Sequence, residues 1–144
     1  MCTLEKAIAF AALAHQGQRD QAGAPYILHP LRMMLSLTDP DQRMAAVLHD
    51  VIEDCAVTPA QLLAEGFSPQ VVVAVQALTK HSEDEPYADF VRRAARNPIA
   101  RAVKLADLHD NMDLSRIAQP TARDLARIEK YRNAVRIIET ATHG

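Results

Sequence analysis

The chain has 144 residues, of which 49% are hydrophobic and only 4% aromatic, with no Trp and a formal net charge of −2. That length suits one domain, and a chain of this size buries roughly 70% of the surface it exposes when unfolded, so a core forms without staples. The near-neutral charge, without a long basic run, argues against nucleic acid as a partner. No apolar run is long enough to cross a bilayer, so no membrane association is expected, and Cys2 and Cys55 have neither metal-like spacing nor the number for a disulfide framework. The amino terminus lacks a basic region followed by an apolar stretch and a cleavage site, and a cytoplasmic protein is expected.

The scarcity of aromatics points to a core of Ala, Leu, Ile and Val, which suits close-packed helices. In chain order, Leu4 to His15 has a helical apolar stripe of Leu4, Ile8, Ala11 and Ala12, and stops at Gly17. A polar loop, Gln18 to Pro25, follows. Pro30 reads as the first residue of a short helix through Leu37, and another helix begins near Asp41. Thr58-Pro59-Ala60-Gln61 is a capping-box pattern with Pro at the first helical position, and Gly66 closes that helix. Ser68-Pro69 repeats the start, and its helical spacing outweighs the β-branched run Val71-Val72-Val73. Further helices fit Tyr87 to Arg96, Pro98 to about Leu114, and a last one from Pro120-Thr121 with Leu125, Ile128, Val135 and Ile138 spaced for burial. No internal repeat, low-complexity segment or linker is evident. The expectation is an all-α fold: one helical bundle of seven or eight helices over residues 1–144.

The segment Ala45 to Asp54 carries the chemistry. On a helix, Ala45, Ala46, Val47, Leu48, Val51 and Ile52 leave His49 and Asp50 inside an apolar belt. An unpaired carboxylate there costs several kcal/mol and needs a cation, a hydrogen-bond network or a proton. The plain alternative is a polar edge on a core helix. Glu53 and Asp54, three or four residues on, place four metal-type or acid–base side chains on one broad helix face. Asp107, with Asn111 one turn on, stands in a second apolar surround, where a helix-to-helix hydrogen bond is the alternative. His29, just before Pro30, by itself reads equally as a loop histidine.

Four blocks in order, Gly17-Gln18, Pro25 to Pro30, Leu48 to Asp54, and Lys104 through Asn111, resemble the hydrolase domain of the RelA/SpoT family. The likeness runs from the first helix to the last and extends to the small stand-alone members, the metazoan SpoT homologue among them. It implies an HD-type phosphohydrolase of the stringent response, with His29, His49, Asp50 and Asp107 as ligands of one divalent ion, usually Mn²⁺. Two imidazoles and two carboxylates suit that ion, though they also admit Fe, Co or Zn. The resemblance further makes Glu53 and Asp54 the acidic pair that handles the attacking water, and Asn111 a ribose contact. Counted on from Asp107, Arg127 and Tyr131 fall where the stand-alone enzymes set an arginine and a tyrosine against substrate. A solvated Arg beside a half-buried Tyr is the alternative.

The chain departs from the family at one loop. The Arg-Lys pair expected after Gly-Gln-x, whose arginine stacks on guanine, is here Asp20-Gln21. An acid supplies no cation–π stacking, so Arg19 is the candidate substitute. The sequence therefore points to a nucleotide as small-molecule substrate, with ppGpp cleaved at the 3′ pyrophosphate as the leading reading. Alternatives are a phosphatase of another nucleotide, such as a dNTP or NADPH, and a catalytically idle nucleotide-binding module. A chain of this length has no room for a ppGpp synthetase domain, and the sequence leaves homo-oligomerisation open.

Overall fold

Five helix starts carry the caps that their sequences announce. The computed structural model describes residues 2–143. In it Thr3 caps α1 (Leu4–Ala14), Asp39 caps α3 (Pro40–Leu48), Thr58 caps α5 (Pro59–Ala64), Ser68 caps α6 (Pro69–Ala77) and Asn97 caps α8 (Pro98–Asn111). Each side-chain oxygen accepts from the backbone N–H three residues on, and Thr58 and Gln61 form the full reciprocal box. Pro40, Pro59, Pro69 and Pro98 stand where a missing N–H costs nothing. The remaining elements are α2 (Leu28–Leu35), α4 (Val51–Asp54), α7 (Tyr87–Ala95), a 3₁₀ turn (Leu114–Arg116) and α9 (Ala122–His143). Among the described residues the fold is all-α, with eight helices of six residues or more and the single turn α4.

The structure departs from the sequence reading at the start of α2, at the end of α3 and on the apolar stripes of α1 and α9. Helix α2 starts at Leu28, not Pro30, because Ile27 is already in the right-handed helical region. Pro30 then occupies the first turn, where N–H groups lack helical partners anyway. His29 is thereby a helical residue. The segment from Ala45 to Asp54 is not one helix: α3 ends at Leu48, and His49 and Asp50 (φ −109°, ψ 2°) turn the chain before α4. The common helix face expected for His49, Asp50, Glu53 and Asp54 is therefore replaced by a corner. On α9, Ile128 and Ile138 are buried but Leu125 is 56% exposed, and the α1 stripe is completed by buried Ala7 while Ala12 is exposed. Gly66, which ends α5 at φ +98°, would bring a Cβ to 3.2 Å from Cys2 Sγ.

Helix α3 is the centre of the larger core, packed on α1, α2, α6 and α8. Ala45, Ala46, Val47 and Leu48 are all fully buried, so its last turn has no solvent face. A smaller core of Val91, Ala95, Leu108, Ala134 and Ile138 joins α7, α8 and α9. Helix α8 belongs to both: Ala100 and Val103 face the first, Leu108 the second. A cavity opens where the two cores meet. No helix among the described residues is long and apolar enough to cross a membrane.

Candidate active site

Three helices bring the expected ligands together. His29 comes from the first turn of α2, His49 and Asp50 from the corner after α3, and Asp107 from α8. His29 Nε2 lies 2.9 Å from Asp107 Oδ1, and His49 Nε2 lies 3.0 Å from Asp50 Oδ2 and 3.9 Å from Asp107 Oδ1. One donor atom each from His29, His49 and Asp50 falls within 4.8 Å of the others. Donors sharing one ion at bonds of about 2.1 Å stand roughly 3–4 Å apart, so His29, His49 and Asp50 fit a divalent cation with little movement, and Asp107 stands beside both imidazoles.

The surrounding bonds orient each of them. His49 Nδ1–H donates to the Ala46 carbonyl at 2.8 Å, and His29 Nδ1–H donates to Asp110 at 2.6 Å, which turns both Nε2 atoms inward. Asp110 is itself held by Arg32 at 2.7 and 3.0 Å and by Arg116 at 3.5 Å. Tyr26 donates its hydroxyl to Asp50. Asp107 accepts from Lys104 at 3.0 Å and from Asn111 at 2.9 Å. His15, Tyr26, His29 and His49 form a run of neighbouring rings, with centroids 4.8, 5.7 and 5.4 Å apart.

Charge follows this wiring. Burial works to lower the His29 pKa, but its hydrogen bonds to Asp107 and Asp110 raise it to about 9. Burial works to raise Asp50, and His49 nonetheless holds it down to about 2. Asp107 is likewise held far below the carboxylate range, against burial, by Lys104 and both histidines. Asp54 goes the other way, pushed up by burial and by Asp50 and Glu53.

The site opens into a cavity of about 590 Å³ lined by Glu53, Asn111, Arg127, Tyr131 and Arg19 among others. Glu53 accepts the Lys80 backbone N–H at 3.0 Å. Asp54 is not among the lining residues, because adjacent residues on the turn α4 point in different directions. Arg127 reaches the cavity but is tied to Asp124, and Asn111 spends an N–H on Asp107. In the unusual loop, Asp20 Oδ1 accepts from the N–H groups of Ala22 and Ala24, and Arg19 donates to the Gly23 carbonyl at 2.9 Å. Asp20 therefore builds the loop that carries Arg19 to the cavity wall. Sequence reasoning missed Asp110, whose signal was its place one turn after Asp107. It also missed Tyr26, Lys104, Tyr87 and Lys130; Lys130 shares a helix face with Arg127 and Tyr131, which was the available clue.

A family model described as HD domain matches residues 7–133. A guanosine-3′,5′-bis(diphosphate) 3′-pyrophosphohydrolase of Aquifex aeolicus is 32% identical over 120 residues, which is 76% of this chain and 17% of that protein. A GTP pyrophosphokinase of Streptomyces coelicolor is 33% identical over 121 residues, 76% of this chain and 14% of that protein. The chain thus spans less than a fifth of the length of these relatives. Among solved structures, a metazoan ortholog of SpoT described as hydrolysing ppGpp superposes with a TM-score of 0.77 at 26% identity, covering 100% of this chain and 87% of that one.

Proposed function

The chain belongs to the HD domain family, in its RelA/SpoT type, and on that basis we propose that it is a Mn²⁺-dependent hydrolase of ppGpp that removes the 3′ pyrophosphate. The observation that carries the reading is the convergence of His29, His49, Asp50 and Asp107 at ligand-like separations on the floor of a nucleotide-sized cavity. The names of the relatives and of the structural neighbour support the substrate.

In this reading those four side chains hold the ion, which supplies Lewis-acid activation of a water and of the phosphoryl oxygens. Glu53, fixed by the Lys80 N–H, takes the proton of the attacking water. Asp54, raised by burial and by its acidic neighbours, stands behind it as a proton reservoir. Asp110 keeps His29 turned toward the centre, and Lys104 keeps Asp107 ionised. Arg127, Tyr131 and Asn111 meet the nucleotide, and Arg19 meets its base. With Asp20 committed to its loop, discrimination of guanine is weaker than an arginine there would give, by roughly 0.5–2 kcal/mol. The helices act as one domain, in the cytoplasm. Rates of phosphate or pyrophosphate release from ppGpp, a dNTP and NADPH with added Mn²⁺ test the substrate. Turnover of NADPH or dNTP but not of ppGpp would replace it.

A further inference from the structure

Most cations lining the cavity are neutralised by carboxylates: Arg32 and Arg116 by Asp110, Lys104 by Asp107, Arg127 by Asp124. Among the described residues, Arg19, Lys80 and Lys130 line the same cavity without an ion pair, and Arg19 is spent on the Gly23 carbonyl. Lys130 Nζ sits 4.2 Å from the centroid of the Tyr87 ring, and Lys104 Nζ sits 5.7 Å from the same centroid. Burial lowers the Lys130 pKa, and the positive charges of Lys80 and Lys104 lower it further. The Tyr87 hydroxyl is buried without a hydrogen-bond partner. Glu53 engages only the backbone N–H of Lys80 and leaves the ammonium uncompensated.

Lys80 and Lys130 lack a carboxylate partner, and an anion with several charged oxygens relieves the repulsion at Lys130. The cluster begins at Lys104, 3.0 Å from Asp107, and so adjoins the reacting centre. We propose that Lys80 and Lys130 form a subsite for the outer phosphate of a diphosphate whose inner phosphorus is attacked, so that the protein prefers diphosphoryl to monophosphoryl groups. This rests on the hydrolase reading above. Water adds its oxygen to the inner phosphorus, the bond from that phosphorus to the ribose oxygen breaks, and the ribose oxygen leaves as a hydroxyl with a proton from the water. The second phosphate takes no part in the bond changes and is held by the two lysines as pyrophosphate departs.

The test is calorimetric titration of the full chain, as purified and again after chelation, with inorganic pyrophosphate and with orthophosphate. Wild type should bind pyrophosphate at least tenfold more tightly. The Lys80→Ala/Lys130→Ala double variant should bring the two anions within threefold, Lys80→Arg/Lys130→Arg should restore the preference, and exposed Lys6→Ala should leave it intact. A lysine-dependent preference in a protein that fails to turn over ppGpp would keep the subsite and overturn the substrate. Turnover of ppGpp with no preference in the wild type, or with a preference surviving the alanine double variant, would overturn the subsite alone.

Discussion

Raising the pH from 7 to 9 should tighten divalent-metal binding about fiftyfold, because His29 must lose a proton before its Nε2 serves as a ligand. Its bonds to Asp107 and Asp110 outweigh burial and put its pKa at about 9. Below that value the ring is an imidazolium that donates from both nitrogens, so each pH unit costs the ion a factor of about ten, about 1.4 kcal/mol. Titration with Mn²⁺ in two buffers of different ionisation heat, at pH 7, 8 and 9, reads both the affinity and the protons released. Close to one proton should leave His29 per ion at pH 7. Asp110→Asn removes one of the two carboxylates, so the dependence should shift to lower pH, and affinity at pH 9 should fall roughly 10–100-fold as the imidazole loses its orienting partner. For the metal-free fold the sign reverses. A raised histidine contributes stability that is complete below its unfolded value of 6.5 and is lost as pH rises through about 9. An affinity flat between pH 7 and 9, with no proton released, would refute the reasoning.

Glu53→Gln should keep the metal by elemental analysis yet lose roughly 10²–10⁴-fold in turnover, the outcome expected of the role proposed for Glu53 at the water rather than the ion. Lys104→Met should destabilise the metal-free protein by about 3 kcal/mol in urea unfolding, because Asp107 keeps a buried charge and loses its ammonium. Loss of metal with Glu53→Gln, or unchanged unfolding with Lys104→Met, would contradict these assignments. Ala56, a non-glycine residue at φ 57°, sits just after α4. Ala56→Gly should raise stability by about 0.5–1 kcal/mol, read as an upward shift in melting temperature. Asp20→Ala should lower stability by about 1–2 kcal/mol through two freed loop N–H groups, and a neutral melting curve would show that the loop stands without it.

The helices were legible because their ends are written locally. Thr58 with Gln61, and Ser68, each followed by a proline at the first helical position, act within one turn of chain, and the structure keeps both starts. Burial of the His49–Asp50 pair was legible too, since Ala45 to Leu48 and Val51 left no solvent face. The corner at that pair was not. A turn that hands the chain from α3 to α4 depends on what α1, α2, α6 and α8 pack against, and no glycine or proline marks it. The orienting groups were hidden for a similar reason: Asp110 meets His29 across 81 positions and Tyr26 meets Asp50 across 24. Leu125 has correct helical spacing yet faces solvent, because periodicity gives a face but not the neighbour that covers it.

Cleavage of a nucleotide 3′ diphosphate at the proposed His29, His49, Asp50 and Asp107 centre has a direct readout. Following ppGpp with the full chain and Mn²⁺ by ³¹P NMR tests it most directly. The account predicts equimolar GDP and pyrophosphate, formed with one bound ion per chain, and neither product from His49→Ala, which should retain the helical fold and lose the ion. Intact ppGpp after prolonged incubation of metal-loaded protein, or equal product from His49→Ala, would contradict it.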